Sequence, residues 1–105
     1  MDKNAAHLNA LAEVRQRYLC SLPDKANRLK QLITHCDTAQ PDAVAELNQA
    51  IHHLAGSAGM HGLDQISQLA RKLDIALENE PDQWHQLQEP LTDLIQMLVT
   101  GDEKI

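Results

Sequence analysis

Phenylalanine is absent from this chain, and one tryptophan and one tyrosine supply all of its aromatic side chains. A β-sandwich or a nucleotide-binding sheet draws on aromatic and β-branched strands set between frequent turn glycines, and only four glycines occur in 105 residues. Those architectures are disfavoured. Basic residues are also scarce: nine Lys and Arg face fifteen Asp and Glu, giving a formal net charge of −6. Nucleic acid and anionic membrane both require a basic footprint, so neither is expected as a partner. Two cysteines, Cys20 and Cys36, lie far apart and form no C-x-x-C pair, which leaves a redox motif or zinc ribbon unsupported. Cys36 instead completes an apolar series with Ala26, Leu29 and Ile33, a packing role. No basic-then-apolar leader and no run of about 18 apolar residues appears, so the expectation is a cytoplasmic protein.

What remains is aliphatic and helical. Hydrophobic residues make up 43% of the chain, enough for one core of Leu, Ile, Val and Ala in a single domain spanning 1–105. Asn4 reads as the cap of a first helix with apolar positions Ala5, Leu8, Leu11, Ala12, Tyr18 and Leu19. Ser21-Leu22-Pro23-Asp24 reads as a fresh start, with a serine cap and proline in the first turn, opening a second helix to about Cys36. Asp37 to Pro41 is a polar connector, followed by a central helix at about 42–60 and a turn at His61-Gly62. Leu63, Ile66, Ala70, Leu73 and Leu77 mark the next helix, ended by Asn79-Glu80-Pro81. Trp84, Leu87, Leu91, Leu94 and Leu98 mark the last, with a kink or short break expected at Pro90. The sum is all-α: an antiparallel up-down-up-down four-helix bundle over about 21–100, with an extra N-terminal helix as a cap.

The chemistry concentrates in the central helix. Val44, Leu47, Ile51, Leu54 and Ala58 form its buried stripe, and His52 points roughly 120° away from it. The neighbours of His52 are small or amide side chains: Ala45, Asn48, Gln49, Ala55, Gly56 and Gly59. Glycine inside a helix costs on the order of 1 kcal/mol relative to alanine, so Gly56 and Gly59 call for a reason. They either let another helix pack closely or keep an exposed imidazole open to a partner's backbone. His53, about 100° further round beside Glu46, Gln49 and Ser57, reads as an ordinary solvated face.

These residues carry a resemblance. His52-His53-Leu54-Ala55-Gly56-Ser57-Ala58-Gly59, with Gly62-Leu63 and Leu73-Asp74 downstream, resembles the H-x-L-K-G-[SA]-[SA] signature of histidine-containing phosphotransfer (HPt) domains. The stretch Tyr18 to Pro23 with Leu29 and Leu32 is similar to the family's entry into its second helix. The family's usual lysine three residues after the phosphoacceptor is Ala55 here.

The resemblance implies that His52 accepts a phosphoryl group from a receiver-domain aspartate and passes it to another receiver. It implies a monomeric carrier rather than an enzyme, with no cofactor of its own and Mg²⁺ on the partner. Response-regulator receiver domains and a hybrid sensor histidine kinase are the implied partners. Asn48, Gln49, Ala55, Arg71 and Asp74 form the expected phosphate environment, and Ala45, Gly56 and Gly59 the docking flank. In an antiparallel hairpin turning near Gly62, His52 lies level with Arg71 and Lys72. Arg71, held by Asp74, either supplies part of the charge that Ala55 cannot or makes with Asp74 an exposed pair worth a few tenths of a kcal/mol. Two other readings stay open: a helical adaptor that binds a receiver without taking phosphate, and a metal site drawn from His52, His53, His61 and His85. Adjacent helical histidines diverge by about 100°, which weakens the second.

Overall fold

The computed structural model describes the backbone of residues 3–101 and the side chains of residues 9–101. Four α-helices account for most of it: α1 Lys3–Asp37, α2 Ala43–Met60, α3 Asp64–Asn79 and α4 Gln88–Thr100, with a 3₁₀ segment, Pro81–Leu87, between the last two.

The expected cap helix is absent as a separate element, because the first two predicted helices are one helix of 35 residues. Asn4 lies inside it rather than at a cap, and the side chains of Ala5 and Leu8 fall outside the described residues. Ser21 and Pro23 do not start a helix, for a reason visible in the packing. The stripe Leu22, Ala26, Leu29, Leu32 and Cys36 is buried, and Tyr18 and Leu19 extend it backwards without a change of face. Pro23 stands on the exposed side of that stripe, where the bond it forfeits to the carbonyl four residues back leaves the buried face intact. Ser21 turns its hydroxyl onto the Tyr18 carbonyl at 2.6 Å, so it works within the helix rather than capping it.

At 1.5 Å per residue α1 spans about 52 Å, close to the 57 Å long axis of the molecule. Its first half therefore overhangs the bundle, and residues 9–17 are all exposed. Among the described residues, a clasp joins the overhang to the turn between α2 and α3. The Tyr18 ring stacks on His61 at 4.0 Å, the Tyr18 hydroxyl meets the Ser57 hydroxyl at 2.6 Å, and Arg15 donates to the His61 carbonyl. Burial pushes the Tyr18 hydroxyl above the ordinary phenol range.

Both helix ends that flank α2 use the same closing pattern, with unequal residues. After α1, the Gln40 amide reaches the His35 carbonyl and the Ala39 amide reaches Cys36, with Ala39 left-handed at φ 54°. After α2, the Leu63 amide reaches Ala58 and the Gly62 amide reaches Gly59, with Gly62 at φ 76°. Glycine fits this left-handed position without penalty, and alanine does not.

The core is aliphatic, as a chain without phenylalanine requires. Leu22, Leu32, Leu47, Ile51, Ile66, Leu77, Leu91, Leu94 and Leu98 are its largest fully buried side chains. In the last segment the break precedes Pro90. The chain is 3₁₀ through Leu87, and Pro90 sits in the first turn of α4, where a missing amide hydrogen costs nothing. Cys36 is buried, and burial together with Asp37 and Glu46 raises its thiol above the usual range, consistent with packing.

Candidate functional site

The site lies where α2 and α3 run antiparallel, and its register repeats with a seven-residue period. Asp74 on α3 stands opposite the gap between Asn48 and His52, which are one turn apart on α2, so a single carboxylate serves both. The Asn48 amide donates to Asp74 Oδ1 at 2.7 Å and to its backbone carbonyl at 3.1 Å. The Nδ1 atom of His52 meets Asp74 Oδ2 at 2.8 Å. Seven residues nearer the turn, Ser67 fills the matching place between Ala55 and Gly59. Its hydroxyl donates to the Ala55 carbonyl at 2.7 Å, and a Cβ built on Gly59 would come within 3.1 Å of the same oxygen. Asp74 and Ser67 are the two buried polar side chains of the described residues, and each has its partners. Asp74 is thereby held from two sides while the His52 side chain stays 70% exposed.

The electrostatics follow. An ionised carboxylate only accepts, so His52 donates Nδ1–H to Asp74. The hydrogen bond to Asp74, then its charge, then the charge of Glu78, raise the His52 pKa above the ordinary imidazole value. The proton is fixed on Nδ1, and Nε2, on the opposite edge of an open ring, carries the free lone pair.

The remaining expected residues fall as follows. Arg71 shares the α3 edge with Ser67 and Asp74 by its spacing and is exposed, but among the described residues no ion pair joins it to Asp74. The Asp74 oxygens turn across the helix pair to Asn48 and His52, and the expected Arg71–Asp74 pair is not among their contacts. Gln49 sits on the His53 side of α2, where it lines a groove with Arg28 and Glu46 rather than approaching His52. Ala55 is buried against α3, and Ala45 and Gly56 are exposed, with open space above Gly56. The two glycines therefore divide the two explanations between them: Gly59 admits α3, and Gly56 leaves the flank of His52 clear.

Sequence reasoning missed three features. Ser67 was legible in principle as the residue one heptad before Asp74. The clasp of Tyr18, Ser57 and His61 had no local signal, since it joins residues about forty positions apart. His53 is not simply solvated: it borders a groove between α1 and α2 that also carries Lys25 and Arg28.

For the metal reading, the rings of His52 and His53 lie edge-on 6.2 Å apart, while His61 and His85 are engaged elsewhere. His52 bonds Asp74, His61 stacks on Tyr18, and His85 packs edge-on to Trp84. Among the described residues no group of three metal-ligating side chains is assembled. Among the described residues, too, no helix is long and apolar enough to cross a membrane.

A helical bundle that fixes one imidazole by its Nδ1 atom and leaves the rest of the ring open defines a class: a protein that offers a histidine to something else. Comparison with protein families supplies the particular one. The family model described as Hpt domain matches residues 13–101, and the chain belongs to that family. Searches of curated proteins and of solved structures returned no match. Hpt domains are phosphocarriers of phosphorelays and not kinases, and receiver domains are the family's partners.

Proposed function

We propose that His52 is the phosphoacceptor and that its Nε2 atom carries the phosphoryl group between receiver domains. The observation that carries this reading is the Nδ1 bond to Asp74 on a ring whose other edge is open. In the forward step the Nε2 lone pair attacks the phosphorus of a receiver's aspartyl phosphate. The N–P bond forms as the P–O bond breaks, and the electron pair leaves with the aspartate carboxylate. Nδ1 keeps its proton throughout, so the ring becomes a cation, and Asp74 lies 2.8 Å from that developing charge. In the onward step a second receiver's carboxylate attacks phosphorus, and the pair in the N–P bond returns to Nε2 as a neutral imidazole. No proton moves in either direction.

Such a carrier needs little machinery of its own, because phosphoryl transfer depends on positioning and on charge at the equatorial oxygens. Asn48 fixes Asp74, Asp74 fixes His52, and Gly56 leaves room above them. Arg71, free of Asp74, is the cation on the α3 side that offsets the phosphoryl charge. One observation favours the adaptor instead: position 55, where the family carries lysine, holds a buried alanine.

The deciding experiment is transfer of labelled phosphate from a panel of charged receiver domains to the parent, His52→Gln and His53→Gln. Acid-labile label lost only in His52→Gln is the expected result. Binding to a receiver without label in the parent would overturn the carrier reading in favour of the adaptor.

A further inference from the structure

On the side of α2 turned from Asp74, α1 and α2 enclose a groove of about 360 Å³. Its floor is Leu29, Ala50 and Leu54, and its walls carry Lys25, Arg28 and His53. In a chain with fifteen carboxylates against nine Lys and Arg, this concentration of cations beside the histidines stands out by sign. Arg28 enters no ion pair among the described residues. Lys25 gives one hydrogen bond to the Ser21 hydroxyl at 3.0 Å and lies 5.0 Å from the Tyr18 ring centre, which leaves two donors. Glu46 stands further along, where the groove continues past Arg28 and Leu32. The adjacent rings of His52 and His53, 6.2 Å apart, thus lie between unlike flanks, with Asp74 and Glu78 acting on His52 from α3 and Lys25 and Arg28 sharing the groove with His53 on the α1 side.

We propose that this groove is a docking subsite that selects partners by charge. An aliphatic side chain of the receiver seats on Leu29, Ala50 and Leu54, and a carboxylate beside it meets Lys25 and Arg28. The proposal rests on the phosphocarrier reading and adds to it the chemistry of the partner's contact face. Opposite signs on the two sides of this histidine pair fix the orientation, since a receiver docked the other way round would set its carboxylate against Asp74 and Glu78. Exposed charges of this kind act on encounter and register rather than on the chemical step.

The test uses the full chain carrying Lys25→Gln and Arg28→Gln together, Arg28→Gln alone, and the charge-keeping pair Lys25→Arg with Arg28→Lys. Transfer from acetyl-phosphate-charged receiver domains is measured at low and at physiological salt, and potassium phosphoramidate, which labels histidine without a partner, serves as the control. The expected result is a rise in KM of roughly tenfold in the double variant at low salt. A smaller rise is expected in Arg28→Gln, with parental behaviour in the charge-keeping pair and kcat and phosphoramidate labelling unchanged throughout. The salt dependence of KM should flatten as the charges go. A double variant with the parent's KM and salt dependence would overturn the subsite, as would a raised KM with unaltered salt dependence. If the parent takes label from phosphoramidate but from no receiver, the carrier reading itself fails, a result separable from the others because it appears before any substitution.

Discussion

Asp74 Oδ2 lies 2.8 Å from His52 Nδ1 across 22 residues of sequence, and this contact sets both the tautomer and the basicity of the ring. Its effect on transfer has a definite sign. An imidazolium has no lone pair to attack phosphorus, so acceptance of phosphate rises with pH as His52 loses its second proton. Asp74 places that rise above the ordinary value near 6.5. In Asp74→Asn the NMR titration midpoint of His52 should fall towards that value, and the acid limb of the transfer profile should move down with it. On the plateau the variant should be slower by about tenfold, less than the hundredfold typical of enclosed sites, because the ring is open to water. The stability effect has the opposite slope. A raised imidazole pKa contributes stability that is complete below the ordinary value and disappears as pH climbs through the raised one. The melting-temperature advantage of the parent over Asp74→Asn should therefore shrink with increasing pH across that interval. A titration midpoint and rate profile that both stay put would remove Asp74 from the mechanism.

The two closing turns around α2 make a matched pair of stability predictions. Ala39 occupies the left-handed position at the end of α1, and Gly62 occupies its equivalent at the end of α2. Ala39→Gly should raise stability by about 0.5–1 kcal/mol, since relief of the left-handed penalty exceeds the added chain entropy of glycine. Gly62→Ala should cost a similar or larger amount, because the new Cβ would also come within 3.2 Å of the Arg15 guanidinium. Urea unfolding of the two variants checks both signs. Gains or losses in the same direction would contradict the turn geometry.

Periodicity made the helices legible, and it made the break between them misleading. Stripes at three- and four-residue steps, bounded by the stop signals at Gly62 and Pro81, located α2 and α3 to within one or two residues. At Ser21-Leu22-Pro23 the local code for a helix start competed with a stripe that continues from Tyr18 to Cys36, and tertiary burial won. His52, Asn48 and Asp74 were brought together by the family resemblance, whereas counting from the turn near Gly62 set only Arg71 and Lys72 level with His52. The assignment of Asp74's partner was not readable. Arg71 at three residues' distance is the natural local choice, whereas His52 and Asn48 reach Asp74 only once the two helices are side by side. The groove bordered by His53 escaped for the same reason, since Lys25 and Arg28 are separated from it by the whole connector.

Gly56 and Gly59 sit three residues apart on the same helix and should respond in opposite ways to the same change. A Cβ at Gly56 meets nothing within 4 Å, so Gly56→Ala should gain helix propensity, about 0.5–1 kcal/mol, in urea unfolding. At Gly59 the Cβ would stand 3.1 Å from the Ser67 hydroxyl, which is anchored by its 2.7 Å bond to the Ala55 carbonyl and cannot yield freely. Gly59→Ala should therefore lose that gain or turn it into a net cost, as α3 is pushed from α2. Function should divide along the same line. Gly56→Gln, folded and at least as stable as the parent, should abolish transfer from receivers while phosphoramidate still labels His52, because only the partner's approach is obstructed. A Gly56→Gln protein that exchanges phosphate with receivers at the parental rate would show that the partner does not come in over this flank. The open space above Gly56 would then serve only to leave the imidazole in water.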